Sequence, residues 1–458
     1  MIWCYNVIKF NFCLYNLHNM EANVRKASII TYGCQMNVNE SAKIKKMLEN
    51  INYTMTEDIY EANLVILNTC TVREGAATQI YGKIGELKKI KEKKDLIIGV
   101  TGCFAQEMGE KLIEKFPTID IVMGNQNIGR IPNVIDNLEL KKDKSVVYID
   151  NENQLPEYLE ADFGDDKNAS IAITYGCNNF CTYCIVPYVR GRERSVPMNE
   201  IIEQAKNYIE FGYKEITLLG QNVNSYGNDF DSADNFSKLL EEICKIDGDY
   251  ILRFMSPHPR DFSDELIDVI SKNTKISRSL HLPLQAGSTK ILNMMNRGYS
   301  KEEYLYLAKK IKDKIKGVSL TTDIIVGFPG ESEEDFLDTL DVVEKIGFEM
   351  SFMFMYSIRN GTKASTMPNQ IDGKIKNERL QRLMKVQNEC TLNISKSYLG
   401  KIERILVEGV SRKNADMLTG RTSTNKIVLF KGDIGLKGSF VNIKVNQCNT
   451  WTLYGEII

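Results

Sequence analysis

Residues 169–184 read ASIAITYGCNNFCTYC. An apolar run, ASIAIT, stops at Gly176 and opens into three cysteines, Cys177, Cys181 and Cys184. Three thiolates this close can bind three irons of one cubane cluster and leave the fourth iron without a protein ligand. A buried-core reading fails because Asn178, Asn179 and Thr182, which lie between the cysteines, are polar. Zinc would want a fourth ligand, and no further His or Cys lies nearby in sequence.

Outward from this loop, β-rich runs alternate with helical sequence. Six strand candidates follow one another: ASIAIT, EITLLG, YILRFM, SLHLP, GVSLTTDIIVG and EMSFMFM. Six βα units are too few for a full eight-fold barrel, so the spacing predicts a partial (β/α)6 barrel over residues 166–395. Barrel sites sit at the C-terminal strand ends. Those ends carry GQNVNSYG (220–227), SPHP (256–259), PLQAGS (283–288), GFPGES (327–332) and YSIRNGT (356–362). Glycine there lets a ligand approach the backbone closely, and the amide side chains supply donors and acceptors.

The ITYGC of Ile173–Cys177 has a twin at Ile30–Cys34, where no second cysteine is close. ASIIT, NLVILN, DLIIGV and IDIVMG alternate with helical stretches, which predicts a parallel α/β sheet domain over residues 26–142. Cys34, Cys70 (in NTCTVREGA) and Cys103 (in TGCFAQ) each follow one of these strands, 36 and 33 residues apart. In a parallel sheet all strands end at one edge, so the three thiols are expected to converge as a second three-cysteine set. The polar stretch 143–165 reads as a linker. Past Cys390, short strands with Gly and Asn turns (ERILVEGV, KIVLF, SFVNIKV, WTLYGEII) predict a small all-β barrel over residues 396–458.

The composition, 43% hydrophobic and 26% charged, is that of a soluble globular chain. No apolar run approaches the roughly 20 residues of a membrane span. The N-terminal 1–25 lacks a small-residue cleavage site and reads as a disordered or artefactual extension, with Met1 and Met20 both possible starts. Eleven cysteines without a secretion signal favour metal or redox chemistry in a reducing cytoplasm over a disulfide framework. The net charge of −2 hides an asymmetry: residues 401–458 hold nine basic and five acidic side chains. A nucleic-acid partner would therefore be met by local patches. In the C-terminal barrel Lys426, Lys431 and Lys437 look exposed and suited to phosphate.

Taken in order, TYGCQMN, NTCTVREGA, TGCFAQ, CNNFCTYCIVPYVRGRERS, LLGQNVNSYG, LHLPLQAGS and DIIVGFPGES resemble the radical S-adenosylmethionine methylthiotransferase family, from about Lys26 to the C-terminus. The resemblance implies a cytoplasmic enzyme with two 4Fe–4S clusters. One, on Cys177, Cys181 and Cys184, would reduce S-adenosylmethionine to a 5′-deoxyadenosyl radical. The other, an auxiliary cluster on Cys34, Cys70 and Cys103, would present sulfur, which a second S-adenosylmethionine methylates. Tyr183 would pack on the cofactor's adenine, and Gly220 and Gln221 would meet its amino group. The C-terminal barrel would be a TRAM-like RNA-binding domain. The implied substrate is carbon 2 of N6-isopentenyladenosine next to the anticodon (position 37), within a tRNA anticodon stem-loop. An electron donor such as flavodoxin or ferredoxin would be needed.

Relatives in the family act instead on threonylcarbamoyl-adenosine in tRNA or on an aspartate of a ribosomal protein. The wording of QMN, VREGA and LLGQNVNSYG matches the prenyl-adenosine type. A two-cluster electron carrier is the competing class, but it requires neither the six-unit barrel nor the C-terminal barrel. The aromatic and Met stripe Phe352, Phe354, Met355 and Tyr356 reads as barrel core. Cys244 reads as helix core, and Cys4, Cys13, Cys390 and Cys448 as free thiols. His258 and His281 lie near strand ends as structural or substrate-facing groups, and the Lys run 88–94 reads as a solvated helix face.

Overall fold

The computed structural model describes residues 25–71, 76–141, 145–150, 155, 161–164 and 167–458. Residues 1–24, with Cys4 and Cys13, residues 72–75 of the VREGA stretch and most of the 143–165 linker lie outside the described residues. The chain divides into two compact units between Asp162 and Phe163.

The first unit is a six-stranded sheet with every neighbour parallel. Its strands are β1 (Arg25–Tyr32), β2 (Tyr53–Met55), β3 (Leu64–Thr69), β4 (Ile97–Gly102), β5 (Ile121–Met123) and β6 (Val146–Tyr148), in the order β2-β1-β3-β4-β5-β6. The central β3, LVILNT, is buried at all six positions, as expected where helices cover both faces. Its alternate residues feed two separate cores. Val65 and Leu67 pack with Ile80, Ile84 and Leu87 of the helix Ala76–Lys91, while Leu64 and Ile66 pack with Ile44 and Leu48 of the helix Gln35–Asn50. Two strands were not read from the sequence. β2 is three residues long, and β6 lies in the stretch read as linker, where it pairs with β5 through Ile121↔Val146. In the Lys run, Lys88, Lys89 and Lys93 are exposed while Ile90 is buried, which is a solvated helix face.

The second unit opens with six parallel barrel strands. These are β7 (Asn168–Ala172), β10 (Glu215–Leu219), β11 (Ile251–Phe254), β12 (Ser279–His281), β13 (Ser319–Val326) and β14 (Met350–Met355); a short antiparallel pair, β8 (Thr174–Tyr175) and β9 (Arg194–Ser195), caps the first. They form two three-stranded sheets, β11-β10-β7 and β12-β13-β14, joined by the parallel bridge Leu252↔Ile276. The result is a six-strand arc with free edges at β7 and β14.

β13 shows why the arc folds as it does. Leu320, Ile324 and Val326 are buried in the core shared with Phe336, Val342 and Val343 of the helix Glu333–Ile346, while Thr321, Asp323 and Ile325 on the lumen face stay half-buried. That helix starts at a capping box, Ser332 with Asp335, so its first turn is fixed beside the GFPGES loop. On β14 the stripe read as core is not core. Phe352, Phe354 and Met355 are 48%, 53% and 37% exposed, and only Tyr356 is buried. For the two rings the reason is geometric: β14 is the edge of an open arc, and Phe352 and Phe354 lie on the face opposite Met353 and Ser351, which bonds to Gln387 of the helix Gly373–Lys396. Met355 has the same parity as Ser351 but is the last residue of the strand.

The C-terminal segment is a closed barrel of β15 (Ile402–Ser411), β16 (Asn414–Thr422), β17 (Ile427–Phe430), β18 (Phe440–Cys448) and β19 (Thr452–Ile457). β16 escaped the sequence reading because its first three residues, Asn414, Ala415 and Asp416, are exposed and carry no alternation. Lys426 is not a surface cation: it is buried and forms a 2.6 Å ion pair with buried Glu349, the residue just before β14. Lys431 and Lys437 are exposed. Lys437 shares a groove of about 620 Å³ with Lys167, Arg412, Lys413 and Arg421. Cys244, Cys390 and Cys448 are half-buried and form no disulfide. Among the described residues no helix is long and apolar enough to cross a membrane.

Candidate functional site

The cysteine loop leaves the end of β8 through Gly176, whose φ of +79° and lack of side chain are both required, since a Cβ would sit 2.1 Å from the Arg192 carbonyl. The loop is then pinned at each turn. Cys177 N donates to Gly191 O at 3.2 Å, Cys184 N to Cys181 O at 2.9 Å, and Thr182 N to Met295 O at 3.1 Å. Asn296 donates to the Asn179 carbonyl at 2.9 Å, and Arg260 to the Asn179 side chain at 2.6 Å. Cys177 and Cys181 are buried and Cys184 is half-buried. Burial above all, with Cys181 beside both and Cys177 beside Cys184, pushes the Cys177 thiol up to about 11 and the Cys184 thiol up to about 12. Such thiols ionise only against strong positive charge, which bound metal supplies.

Arg297, from the MNRGYS stretch, was not singled out in the sequence. Its guanidinium is buried and fully directed. Nη1 donates to Cys181 Sγ at 3.4 Å, Nε to the Tyr299 hydroxyl at 3.1 Å, and Nη2 to the Pro283 carbonyl at 3.2 Å. No local pattern marks it; only the fold brings residue 297 to residue 181.

Gln221, just past β10, reaches the same loop: its side-chain oxygen accepts from Gly176 N at 2.5 Å. Gly220 packs on Thr174, where a Cβ would come within 2.0 Å of the hydroxyl. Tyr183 is half-buried against the barrel core, with burial and the neighbouring thiols holding its hydroxyl well above the usual range. His258 is buried, accepts from Arg260 N through Nδ1 at 3.2 Å, and is pushed down to about 2 by burial and two arginines, so it is neutral. His281 is half-buried, 2.9 Å from the Thr321 hydroxyl and 3.2 Å from Asp323.

In the first unit the register settles the placement. Tyr32 pairs with Thr69, and Thr69 with Gly102, so Cys70 and Cys103 stand one residue past the same row and Cys34 two past. Three adjacent strands, about 4.8 Å apart, thus deliver three cysteines to one edge. Gly102, at φ +97°, allows the approach, because a Cβ there would meet the Thr69 carbonyl at 2.2 Å. Carboxamides surround the thiols. Cys34 Sγ lies 3.3 Å from Asn37 Oδ1, Asn37 donates to Asn68 Oδ1 at 2.9 Å, and Asn125 Nδ2 donates to Cys103 Sγ at 3.6 Å.

Among the described residues no three His, Cys, Asp or Glu side chains close on a single metal ion. A cubane does not ask for that, because each thiolate binds its own iron. The residues fit such a group, and the barrel mouth fits a polar ligand beside it. The buried Thr174 Oγ1, Asn222 Oδ1 and His258 Nε2, at the ends of the first three barrel strands, have no hydrogen-bond partner. Buried polar atoms are almost always satisfied, so three orphans in one place mark where a ligand's donors and acceptors belong. In the first unit Thr101 Oγ1 and Asn125 Oδ1 are orphaned likewise, next to Gly102 and Cys103.

Three family models match the chain: the Radical SAM superfamily over residues 171–343, the Uncharacterized protein family UPF0004 over 26–124, and the TRAM domain over 396–458. A protein of Fusobacterium nucleatum named tRNA-2-methylthio-N(6)-dimethylallyladenosine synthase is 67% identical over 95% of this chain and 100% of its own length. One of the same name from Alkaliphilus oremlandii is 48% identical over 95% of this chain and 93% of its own. Among solved structures, the radical S-adenosylmethionine methyltransferase TsrM of Kitasatospora setae, with cobalamin and a 4Fe–4S cluster bound, superposes with a TM-score of 0.55. It is 14% identical over 75% of this chain and 77% of its own, a likeness of fold alone.

Proposed function

We infer the function from the family to which the chain belongs, the tRNA-2-methylthio-N6-dimethylallyladenosine synthases, which are radical S-adenosylmethionine methylthiotransferases. The protein is an enzyme that inserts sulfur and transfers a methyl group at carbon 2 of N6-isopentenyladenosine in tRNA, using S-adenosylmethionine and two 4Fe–4S clusters. When bound, cluster and S-adenosylmethionine supply radical chemistry, which an aromatic C–H requires because no side-chain base removes its proton at neutral pH.

Around that chemistry the chain's own residues take these roles in our reading. Cys177, Cys181 and Cys184 hold one cluster, and Cys34, Cys70 and Cys103 the auxiliary one. Gln221 fixes the Gly176 turn that aims the first set, and Gly220, having no side chain, leaves room for the Thr174 hydroxyl. Thr174, Asn222 and His258 offer unsatisfied polar atoms to S-adenosylmethionine, and Tyr183 supports its adenine. The groove lined by Lys167, Arg412, Lys413 and Lys437, where Arg421 is already paired with Glu408, meets the phosphates of the anticodon stem-loop. The target base, following the anticodon at position 37, leaves a single-stranded loop at small cost. Electrons come from a flavodoxin- or ferredoxin-like donor in the cytoplasm. The observation that carries this reading is the 67% identity over 95% of the chain, joined to two three-cysteine sets at parallel strand ends.

The test is expression in cells lacking their own methylthiotransferases, followed by mass spectrometry of digested tRNA. The methylthio mark should appear on isopentenyladenosine and vanish when prenylation is blocked. A mark confined to threonylcarbamoyl-adenosine, or to ribosomal protein, overturns the substrate.

A further inference from the structure

We propose that Phe352 and Phe354, two residues apart on the lumen face of β14, form the wall that receives the dimethylallyl group of the substrate, with Asp323 beside them disfavouring nucleosides that carry a carboxylate. The proposal rests on the substrate assigned above and names the part of the chain that would recognise it.

The orientation follows from the strand register. Asp323 pairs with Phe352 and Ile325 with Phe354, so all four side chains share one face. The opposite face is the packed one, carrying Ile324 and Val326 in the hydrophobic core and Ser351 against Gln387 of the helix Gly373–Lys396. The shared face is therefore the lumen. In a closed eight-strand barrel the lumen is filled by side chains. Here the arc stops at six, and two phenylalanine rings are left about half exposed, at 48% and 53%, on the strand that ends the arc. Their position near the C-terminal strand ends is where a βα barrel places its substrate.

The chemistry of the face is mixed in a way that suits one occupant. The rings offer apolar surface of the size a five-carbon branched chain covers. On the neighbouring strand stands a carboxylate: Asp323 lies 3.2 Å from His281 Nε2, and His281 stacks edge-on to Phe352 with centroids 6.2 Å apart. Among the described residues no Lys or Arg forms an ion pair with Asp323. A threonylcarbamoyl group would bring its carboxylate toward this acid, whose ionic partner among the described residues is His281 rather than a Lys or Arg. A dimethylallyl group brings no charge, and it buries the two rings.

The experiment compares two anticodon stem-loops, one with adenosine and one with isopentenyladenosine at the target position, by fluorescence anisotropy against iron-loaded protein. The native protein should prefer the prenylated loop. In Phe352→Ala/Phe354→Ala that preference should narrow by roughly tenfold, the worth of about two buried methylene groups, through weaker binding of the prenylated loop alone. Phe352→Leu/Phe354→Leu, which keeps the apolar wall, should retain most of it. An unchanged preference in an iron-loaded alanine variant overturns the proposal, and so does an equal loss for both loops, which would mean a general RNA contact. Asp323→Asn should bind a threonylcarbamoyl-bearing loop several-fold more tightly than the native protein; no gain removes Asp323 from the wall. Failure of the underlying substrate reading looks different: the native protein itself would show no preference for the prenyl group.

Discussion

Replacing Arg297 should make the barrel cluster harder to reduce. Its guanidinium is buried at 4% exposure and donates to Cys181 Sγ at 3.4 Å, with its other nitrogens held by Tyr299 and the Pro283 carbonyl. Hydrogen bonds to the ligand sulfurs and burial set the potentials of such clusters. Reduction adds negative charge, so a fixed cation and donor stabilise the reduced state more than the oxidised one. A hydrogen bond to a charged group is worth about 1.5–3 kcal/mol. A one-electron couple moves about 59 mV for each tenfold change in equilibrium. If the whole interaction discriminated between the two states, its loss would lower the potential by about 60–130 mV. The oxidised cluster keeps part of the interaction, so a negative shift of about half that is expected in Arg297→Met.

The measurement is a potentiometric titration followed by electron paramagnetic resonance. It uses a background in which Cys34, Cys70 and Cys103 are alanine, so that the barrel cluster alone is observed. Arg297→Lys keeps the charge but not the planar fork and should fall between native and Met. A potential unchanged or more positive in Arg297→Met, with the iron content of the barrel cluster intact, would refute the reasoning, because the Nη1–Sγ contact would then be packing only.

Three further outcomes are expected. Anaerobically reconstituted protein should hold about eight irons, and alanine at either cysteine set should leave about four; loss of both clusters from one triple substitution would mean that the sets are not independent. Replacing Arg412, Lys413 and Lys437 with Gln should weaken tRNA binding and flatten the slope of log K against log salt by about 2–3, whereas an unchanged slope would take the groove out of the interface. Lys426→Met should cost about 3–5 kcal/mol in urea unfolding of the second unit because it strands buried Glu349; Lys426→Met/Glu349→Leu should recover most of that loss, and equal costs for the single and double changes would mean that the pair contributes nothing specific.

The sequence made legible those features that local spacing fixes. Cys177, Cys181 and Cys184 are close in the chain and follow an apolar run directly, so the strand and the three-cysteine loop at its end could be read together. Cys34, Cys70 and Cys103 became legible at one remove, through the rule that parallel strands share an edge, and the register Tyr32↔Thr69↔Gly102 carries that rule out. Where spacing says nothing, the reading failed in recognisable ways. Arg297 meets Cys181 across 116 residues, with only a glycine and a tyrosine nearby in sequence to suggest it. Lys426 looked exposed, yet its ion pair with Glu349 is made between the C-terminal barrel and the larger one, a contact no local pattern encodes. The misreading of Phe352 and Phe354 is the most instructive. Apolar alternation says only that a strand has one greasy face; whether that face is core depends on whether the sheet closes over it. β13 buries one face and half-buries the other, but β14 ends the arc, and a face that closure would have buried is left open. Counting six βα units already implied an open barrel, and an open barrel implies at least one lumen-facing edge strand without a neighbour to fill the space before it. The apolar stripe on that strand was thus the one to read as a binding surface, and the same step applies to any barrel whose strand count falls short of eight.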